Sequence, residues 1–419
     1  MALVLRDIRL AGFFGGYAIS QLGYGMTLLV LPLMLLQQTG SPALTGALVA
    51  VEATPSVWFG LFAGAVADRG RHLALLLGAE LLAATGVGTA AVLAGLGAFP
   101  AWAIFACAAV TATATVFRDA AMFGALPRLA GADKTAAAVS ITQTTGAVAA
   151  LLAPLLASGA MSLDLGAVAL GADSLSCLFA VAGFLGARKR LPAVSNHSDG
   201  FLGREVLSGL RILWTRPALR YLTVLVALGS VTGGWVIALI IPMTVAELGI
   251  NASAPQIGIV MAAGSAGGLL AAATMPVLAR RLGSGRLTAA TVGGVAAGAL
   301  ALAAGSGLAV IAILYAVWQF IFVLMITNGI AARMRLCPPD MISRVSMSAR
   351  LIAWGGQPVG GYLAAALTSR SSPSLSMAAM AGIAAVACVG ALVMRGHRLI
   401  DAELRLLEPA RGQEDEAVV

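Results

Sequence analysis

Long apolar runs, separated by short breaks rich in glycine, proline and charge, make up most of the chain. Most runs are near or above the roughly 20 residues that an α-helix needs to cross a bilayer. Reading runs against breaks predicts twelve spans. In the first half they fall at about 10–36, 42–66, 73–97, 100–126, 135–160 and 165–187. In the second they fall at about 218–246, 255–279, 287–305, 308–332, 342–367 and 374–394. The turns at Gly97–Pro100 and Gly305–Gly307 are very short. The longest interior break is Arg188–Pro217, where Leu202, Val206, Leu210 and Leu213 recur at helical spacing with arginines between them. That is the pattern of a short amphipathic helix lying on a membrane surface. The predicted architecture is an all-α integral membrane protein of two pseudo-symmetric six-helix bundles. The bundles occupy 1–187 and 218–395, with a linker at 188–217 and a tail at 396–419.

The two halves echo each other. Gly60-Leu61-Phe62 before Asp68-Arg69-Gly70-Arg71 is matched by Gly268-Leu269-Leu270 before Arg280-Arg281-Leu282-Gly283. Pro154 is matched by Pro358, 204 positions later. A repeat at half the chain length is a mark of two-bundle transporters.

Composition agrees with this reading. Of 419 residues, 59% are hydrophobic and 11% charged, against about 25% charged in soluble proteins. Lys and Arg cluster at the termini and at or beside the even-to-odd loops; Arg118 and Arg350 fall deeper within spans, and Arg370 falls in an odd-to-even loop. By the positive-inside rule both termini are cytoplasmic. The net charge of +8 then reflects loops facing an anionic leaflet, not a nucleic-acid site. No cleavable signal peptide is expected, because the first apolar run is too long and lacks a cleavage site.

Enzyme chemistry finds no support. Cys107, Cys177, Cys337 and Cys388 are scattered, as are His72, His197 and His397, so no metal and no cofactor are expected. No nucleophile elbow or phosphate loop occurs. The tail Leu404–Val419 is short and acidic.

Charge inside a span is costly, so each such residue calls for a function or a partner. Glu52, Glu80, Asp119 and Asp173 are acids within spans. A buried carboxyl can load and release a proton, which makes Glu52, Asp119 and Asp173 proton-coupling candidates. Glu52 lies about 15 Å into its span at helical rise, near the midplane, with Thr54-Pro55 just beyond it. Asp173 also fits a structural hydrogen bond, and Glu80 fits a pairing with an arginine of the Asp68–Arg71 loop. Arg118 and Asp119 project about 100° apart and are not expected to pair with each other. Arg118 is open to an acid from another span or to a substrate anion. Candidate cavity residues are Gln21, Tyr24, Arg118, Gln143, Trp235, Trp318, Gln319, Asn328, Trp354 and Gln357, each of which also suits interhelical packing.

The stretch Gly60–Arg71 resembles the signature loop between the second and third helices of the major facilitator superfamily. Further matching stretches are Ile19-Ser20-Gln21-Leu22-Gly23, Leu31-Pro32, Ala172-Asp173-Ser174-Leu175-Ser176, and Pro338-Pro339-Asp340 through Arg344-Val345. Together they are similar to the bacterial exporter branch that contains macrolide efflux and siderophore exporter proteins. Two departures stand out. Tyr24 occupies the place where that branch carries an acid, and Ala149, Ala153, Ala157 and Ser158 replace glycines around the span-five proline. The resemblance implies proton-driven antiport by alternating access in the plasma (inner) membrane of a bacterium. The cargo would be an amphiphilic drug or secondary metabolite, the coupling ion a proton, and the working unit a monomer. A dedicated siderophore or metabolite exporter, or an uptake permease, are the alternatives. It further implies that a loop comprising Gly64, Asp68, Arg69, Arg71 and Glu80 latches the cytoplasmic side.

Overall fold

The computed structural model describes residues 7–68, 71–131, 135–191, 210–252, 254–337, 342–393, 400 and 402–403. Its first half comprises α1 (Ile8–Thr39), α2 (Pro42–Asp68), α3 (His72–Gly95), α4 (Ala101–Ala130), α5 (Thr135–Ser162) and α6 (Gly166–Gly186). Its second half comprises α7 (Pro217–Leu248), α8 (Pro255–Leu282), α9 (Ser284–Ala304), α10 (Leu308–Leu336), α11 (Ile342–Thr368) and α12 (Pro373–Val393). Nine helices among the described residues are long and apolar enough to cross a membrane. In hydrocarbon an α-helix satisfies its own backbone polar groups, which is why apolar composition yields helix throughout.

Local signals set the ends. Asp7 caps α1, its side chain accepting from the Arg9 N–H, and that bond holds the Asp7 carboxyl below the usual carboxylate range. Arg190, in the short 3-10 turn Arg188–Arg190 after α6, closes an ion pair on the same carboxyl. Gly40 and Gly249 end α1 and α7 in the left-handed region, at φ 59° each. The amphipathic helix expected at 201–214 lies largely outside the described residues; Leu213 is fully buried against the start of α7.

The packing repeats between halves. Helix α1 packs on α5 and α6 as α7 packs on α11 and α12; α3 packs on α4 and α6 as α9 packs on α10 and α12; α2 packs on α4 as α8 packs on α10. The two largest seams between the halves, α2 against α11 and α5 against α8, are also equivalent under the repeat, and α2 touches α7 as well.

Small residues make the seams. A Cβ on Gly46 would sit 3.6 Å from Ala238 and 3.8 Å from Ala365, and one on Gly361 would sit 2.8 Å from the Ala50 methyl. The Thr54 and Tyr362 hydroxyls share a hydrogen bond of 3.2 Å. Across the other seam, the Ser158 hydroxyl is 3.5 Å from the Pro255 carbonyl, which it faces as donor. These contacts lie in the first halves of α2 and α8 and the last halves of α5 and α11. The seams are therefore shut at the end that carries the α1–α2 and α7–α8 turns. Towards the α2–α3 loop they part: Phe59 and Phe62 are exposed, and Gly60 and Gly64 have no neighbour within 4 Å of a built Cβ.

Within the second half, α7 and α11 approach most closely at glycines. A side chain on Gly234 would fall on the Gln357 backbone, and one on Gly360 on the Val231 carbonyl. Gly234→Val is expected to destabilise by about 1–3 kcal/mol, because the backbone it meets cannot step aside. Thermal unfolding in detergent measures this; an unchanged midpoint would show that the helices separate freely. All four cysteines are free and buried.

Candidate functional site

The charged centre of the fold is built on α4. Arg118 is 3% exposed and gathers partners from two other helices and from its own. Its Nη2 donates to Gln21 Oε1 at 2.6 Å and its Nη1 to Ser20 Oγ at 3.3 Å, both on α1. Nη1 also lies 3.7 Å from Glu80 Oε1 on α3. The guanidinium stands over the rings of Tyr17 and Tyr24, at 5.8 and 5.5 Å from their centroids. Gln21 in turn donates from Nε2 to the Tyr17 hydroxyl at 2.9 Å. Tyr17, Ser20, Gln21 and Tyr24 share a face because they recur at three- and four-residue spacing on α1.

Two sequence expectations are corrected here. Among the described residues, Glu80 pairs not with the loop's Arg71 but with an arginine inside the bundle. It turns into the bundle, meets Arg118, and accepts from Ser20 Oγ at 2.9 and 3.1 Å. Arg118 and Asp119 do meet, with Nε 3.5 Å from Oδ1. The helical angle separates their Cβ atoms, but the long arginine chain folds back across it. The Asp119 side chain is 48% exposed and looks out of the cluster that buries Arg118.

Asp173 on α6 is 2% exposed and bonded between helices. Thr27 Oγ1 donates to its Oδ2 at 2.5 Å and Ser176 Oγ to its Oδ1 at 3.1 Å. Gly23 makes room for this, since a built Cβ would press on the Asp173 carboxyl and the Ser176 hydroxyl.

Glu52 differs from the other deep acids. Ala50 and Thr54 face α11, so Glu52, two residues from each, turns to the opposite side of α2, into the first half. Its Oε1 is enclosed and has no hydrogen-bond partner. Its charge acts on Tyr24, whose hydroxyl is hydrogen-bonded to Thr115 of α4. Tyr24 is thus near enough to Glu52 to feel its charge, and its ring lies under Arg118.

The remaining candidates divide. Gln143 is exposed, and Gln357 and Gln319 are half-buried, with Gln319 Oε1 unpartnered. Trp318 is fully buried between Tyr315 and Phe322, its ring stacked at 6.1 and 5.0 Å and its indole N–H given to the Val295 carbonyl. Asn328 is fully buried and donates to the Ser284 carbonyl and to Thr288. Trp235 donates to Ser376 and borders an apolar cavity of about 100 Å³ between α7, α9, α11 and α12. Ligand pockets run about 300–1,000 Å³, so that cavity suits no drug-sized molecule. In this structure these three side chains pack helices together, the alternative that their residue types had left open beside a place on a substrate wall. A recess of about 660 Å³, lined by Gln37, Asp164 and Asn251, opens at the shut end of the seams.

Of the loop candidates, Gly64 is half-buried at the open end and Arg71 is exposed. The Asp68 side chain, Arg69 and the Trp354 side chain lie outside the described residues. Ser20 and Tyr17 belong to the site and were not among the sequence candidates. Their signal was available: two polar side chains on the face of Gln21 in an otherwise apolar run.

A family model described as Major Facilitator Superfamily matches residues 13–356. The chain belongs to the major facilitator superfamily. It is accordingly a multi-pass membrane transporter and not an enzyme. Solved structures share its fold. The nucleoside transporter NupG superposes with a TM-score of 0.73 at 14% identity, over 93% of this chain and 99% of that one. The POT family transporter PepTSo gives 0.74 at 14% identity, over 93% and 98%. A bacterial homolog of the human lysosomal transporter Spinster, inward-facing and unoccupied, gives 0.65 at 13% identity, over 96% and 98%. At these identities the likeness is one of fold. No curated protein sequence matches the chain.

Proposed function

We propose that this superfamily member is a proton-coupled exporter of amphiphilic small molecules, uncharged or weakly cationic, with Glu52 as the proton-carrying group. The observation that carries the reading is the enclosed, unpartnered Glu52 carboxyl oxygen beside Tyr24. Arg118 is already engaged by Glu80 and Gln21, so Glu52 has no fixed counter-charge. A carboxyl in that position is neutral when protonated and strongly disfavoured when bare, the behaviour a coupling group needs. Tyr24 holds the place where related exporters carry an acid on the first helix. Glu52 supplies one from α2 in the neighbourhood of that tyrosine.

The proposed topology has twelve spans, in bundles at 1–187 and 218–395, with both termini in the cytoplasm of a bacterial cell. The seams then open to the cytoplasm in this structure, ready to receive cargo from inside. The names of the NupG and POT relatives refer to nucleosides and peptides, so uptake of a polar solute is the competing reading. The deciding measurement is accumulation of a panel of amphiphilic antibiotics in cells lacking their own pumps. Expression should lower accumulation of at least one compound class, and a protonophore should restore it. No change for any class, together with uphill uptake or counterflow of nucleosides or peptides in vesicles, would replace export by uptake.

For the latch, Asp68→Asn is expected to slow turnover about tenfold or more while leaving substrate affinity within about twofold, since gating contacts act on interconversion of states. Transport rate and equilibrium binding, measured on the same purified variant, separate the two. An equal loss of both would remove the loop from gating.

A further inference from the structure

Arg333 stands in the last turn of α10 and is 4% exposed. Its Nε and Nη2 atoms are closed off from solvent and have no hydrogen-bond partner. A guanidinium keeps its charge in proteins and offers five N–H donors in a planar fork. Sealing such a group away without an acceptor is strongly unfavourable. Five residues earlier on the same helix, the Asn328 amide nitrogen donates to Ser284 and Thr288 while its Oδ1 is left without a partner, but that atom is neutral, whereas Arg333 carries a full charge.

A second cation converges on the same point. Arg216, at the start of α7, donates from Nη1 to the Leu336 carbonyl at 3.4 Å. The charges of Arg333 and Arg216 both act on the Cys337 thiol. Among the described residues, ion pairs join Arg118 to Glu80 and Asp119 and Arg190 to Asp7, and none reaches Arg333 or Arg216. Beside Arg216, Leu213 is fully buried under α7 while Trp214 is 56% exposed, the disposition of an aromatic at a membrane interface.

We propose that Arg333 and Arg216 form a binding site for a phosphate-type anion where α7 meets α10. The ligand is the phosphodiester headgroup of an acidic phospholipid or free phosphate; both present paired oxygens that the arginine fork engages bidentately. The site lies at the end of the molecule that carries the basic loops, and basic pockets between helices on that side are suited to anionic headgroups. It stands apart from the Arg118 cluster, and its existence does not depend on proton coupling.

The full-length protein in neutral detergent tests this, with thermal unfolding and native mass spectrometry as readouts. The probes are phosphatidylglycerol, phosphatidylcholine and inorganic phosphate. Phosphatidylglycerol should raise the unfolding midpoint and stay bound, while phosphatidylcholine should do neither. In Arg333→Met, phosphatidylglycerol should bind about tenfold more weakly, the scale of losing a charge-assisted hydrogen-bonded pair. In phosphatidylcholine alone that variant should unfold no earlier than the parent, because it removes an unpaired buried charge. Arg333→Lys, which keeps the charge without the fork, should fall between the two. If Arg333→Met does not fold, Arg216→Gln carries the same comparison. A response to inorganic phosphate that is lost in the variants identifies a free-anion site; a response to phosphatidylglycerol alone identifies a lipid site. If neither probe distinguishes the parent from the variants, water alone satisfies Arg333 and the proposal is wrong.

Discussion

Glu52→Gln is expected to reduce proton-driven transport by about a hundredfold or more, the scale on which a group essential to proton transfer acts. Glutamine has nearly the shape of a protonated glutamate, so packing beside Tyr24 survives and the variant should reach the membrane in normal amount. It cannot release a proton, so the carrier is held in its loaded electrostatic form. Exchange of substrate for substrate needs no net proton movement and should persist. The measurement pairs active efflux under an imposed pH gradient with substrate exchange at uniform pH, both in proteoliposomes. Full gradient-driven efflux in the variant would clear Glu52 of the coupling role and return attention to Asp119 and Asp173. Loss of exchange together with efflux would point to a binding role instead.

Arg118→Leu is expected to be the most destabilising single change in the first half. Arg118 is the sole side chain bonded to α1, α3 and its own neighbour Asp119 among the described interactions of the site. Removing it leaves Glu80 fully enclosed, with the Ser20 hydroxyl and the Cys177 thiol as neutral donors and no counter-charge from Arg118. Breaking a buried pair from one side costs about 3–5 kcal/mol, mostly the penalty of the abandoned charge. Adding Glu80→Gln should therefore recover part of the loss, and the two changes should be strongly non-additive. Thermal unfolding of the parent, both single variants and the double variant in one detergent completes the cycle. Simple additivity would mean that the 3.7 Å contact carries no coupling.

Helix positions were legible in the sequence because the bilayer imposes a length and a composition together. The expected spans and the observed helices differ by no more than four residues at any end. The largest differences are at the ends of α4 and α10, which run on to Ala130 and Leu336. Hydropathy falls there because Arg128, Arg333 and Arg335 sit in the last turns, yet cations at a helix C-terminus stabilise it through the helix dipole. Hydropathy marks where lipid ends, not where helix ends.

Partner choice was far less legible. Glu80 lies close in sequence to the Asp68–Arg71 loop, but its rotation about α3 points it at α4, and rotation cannot be read from a run that is apolar almost all round. Trp318 shows another limit. An indole N–H recognises a ligand acceptor and a helix carbonyl equally well, so its residue type says nothing about which it meets. Glu52 was legible as deep and acidic; that it faces Tyr24 and not α11 depends on the contacts of Ala50 and Thr54 on either side of it.

The burial of all four native cysteines has a practical consequence for following the transport cycle. A membrane-impermeant maleimide has no exposed native thiol to react with in this conformation. A single cysteine introduced at Gly64, at the parted end of the seams, would therefore report on a silent background, without first stripping the protein of sulfur. Its labelling rate, with and without cargo, becomes a clock for how long that end stays open.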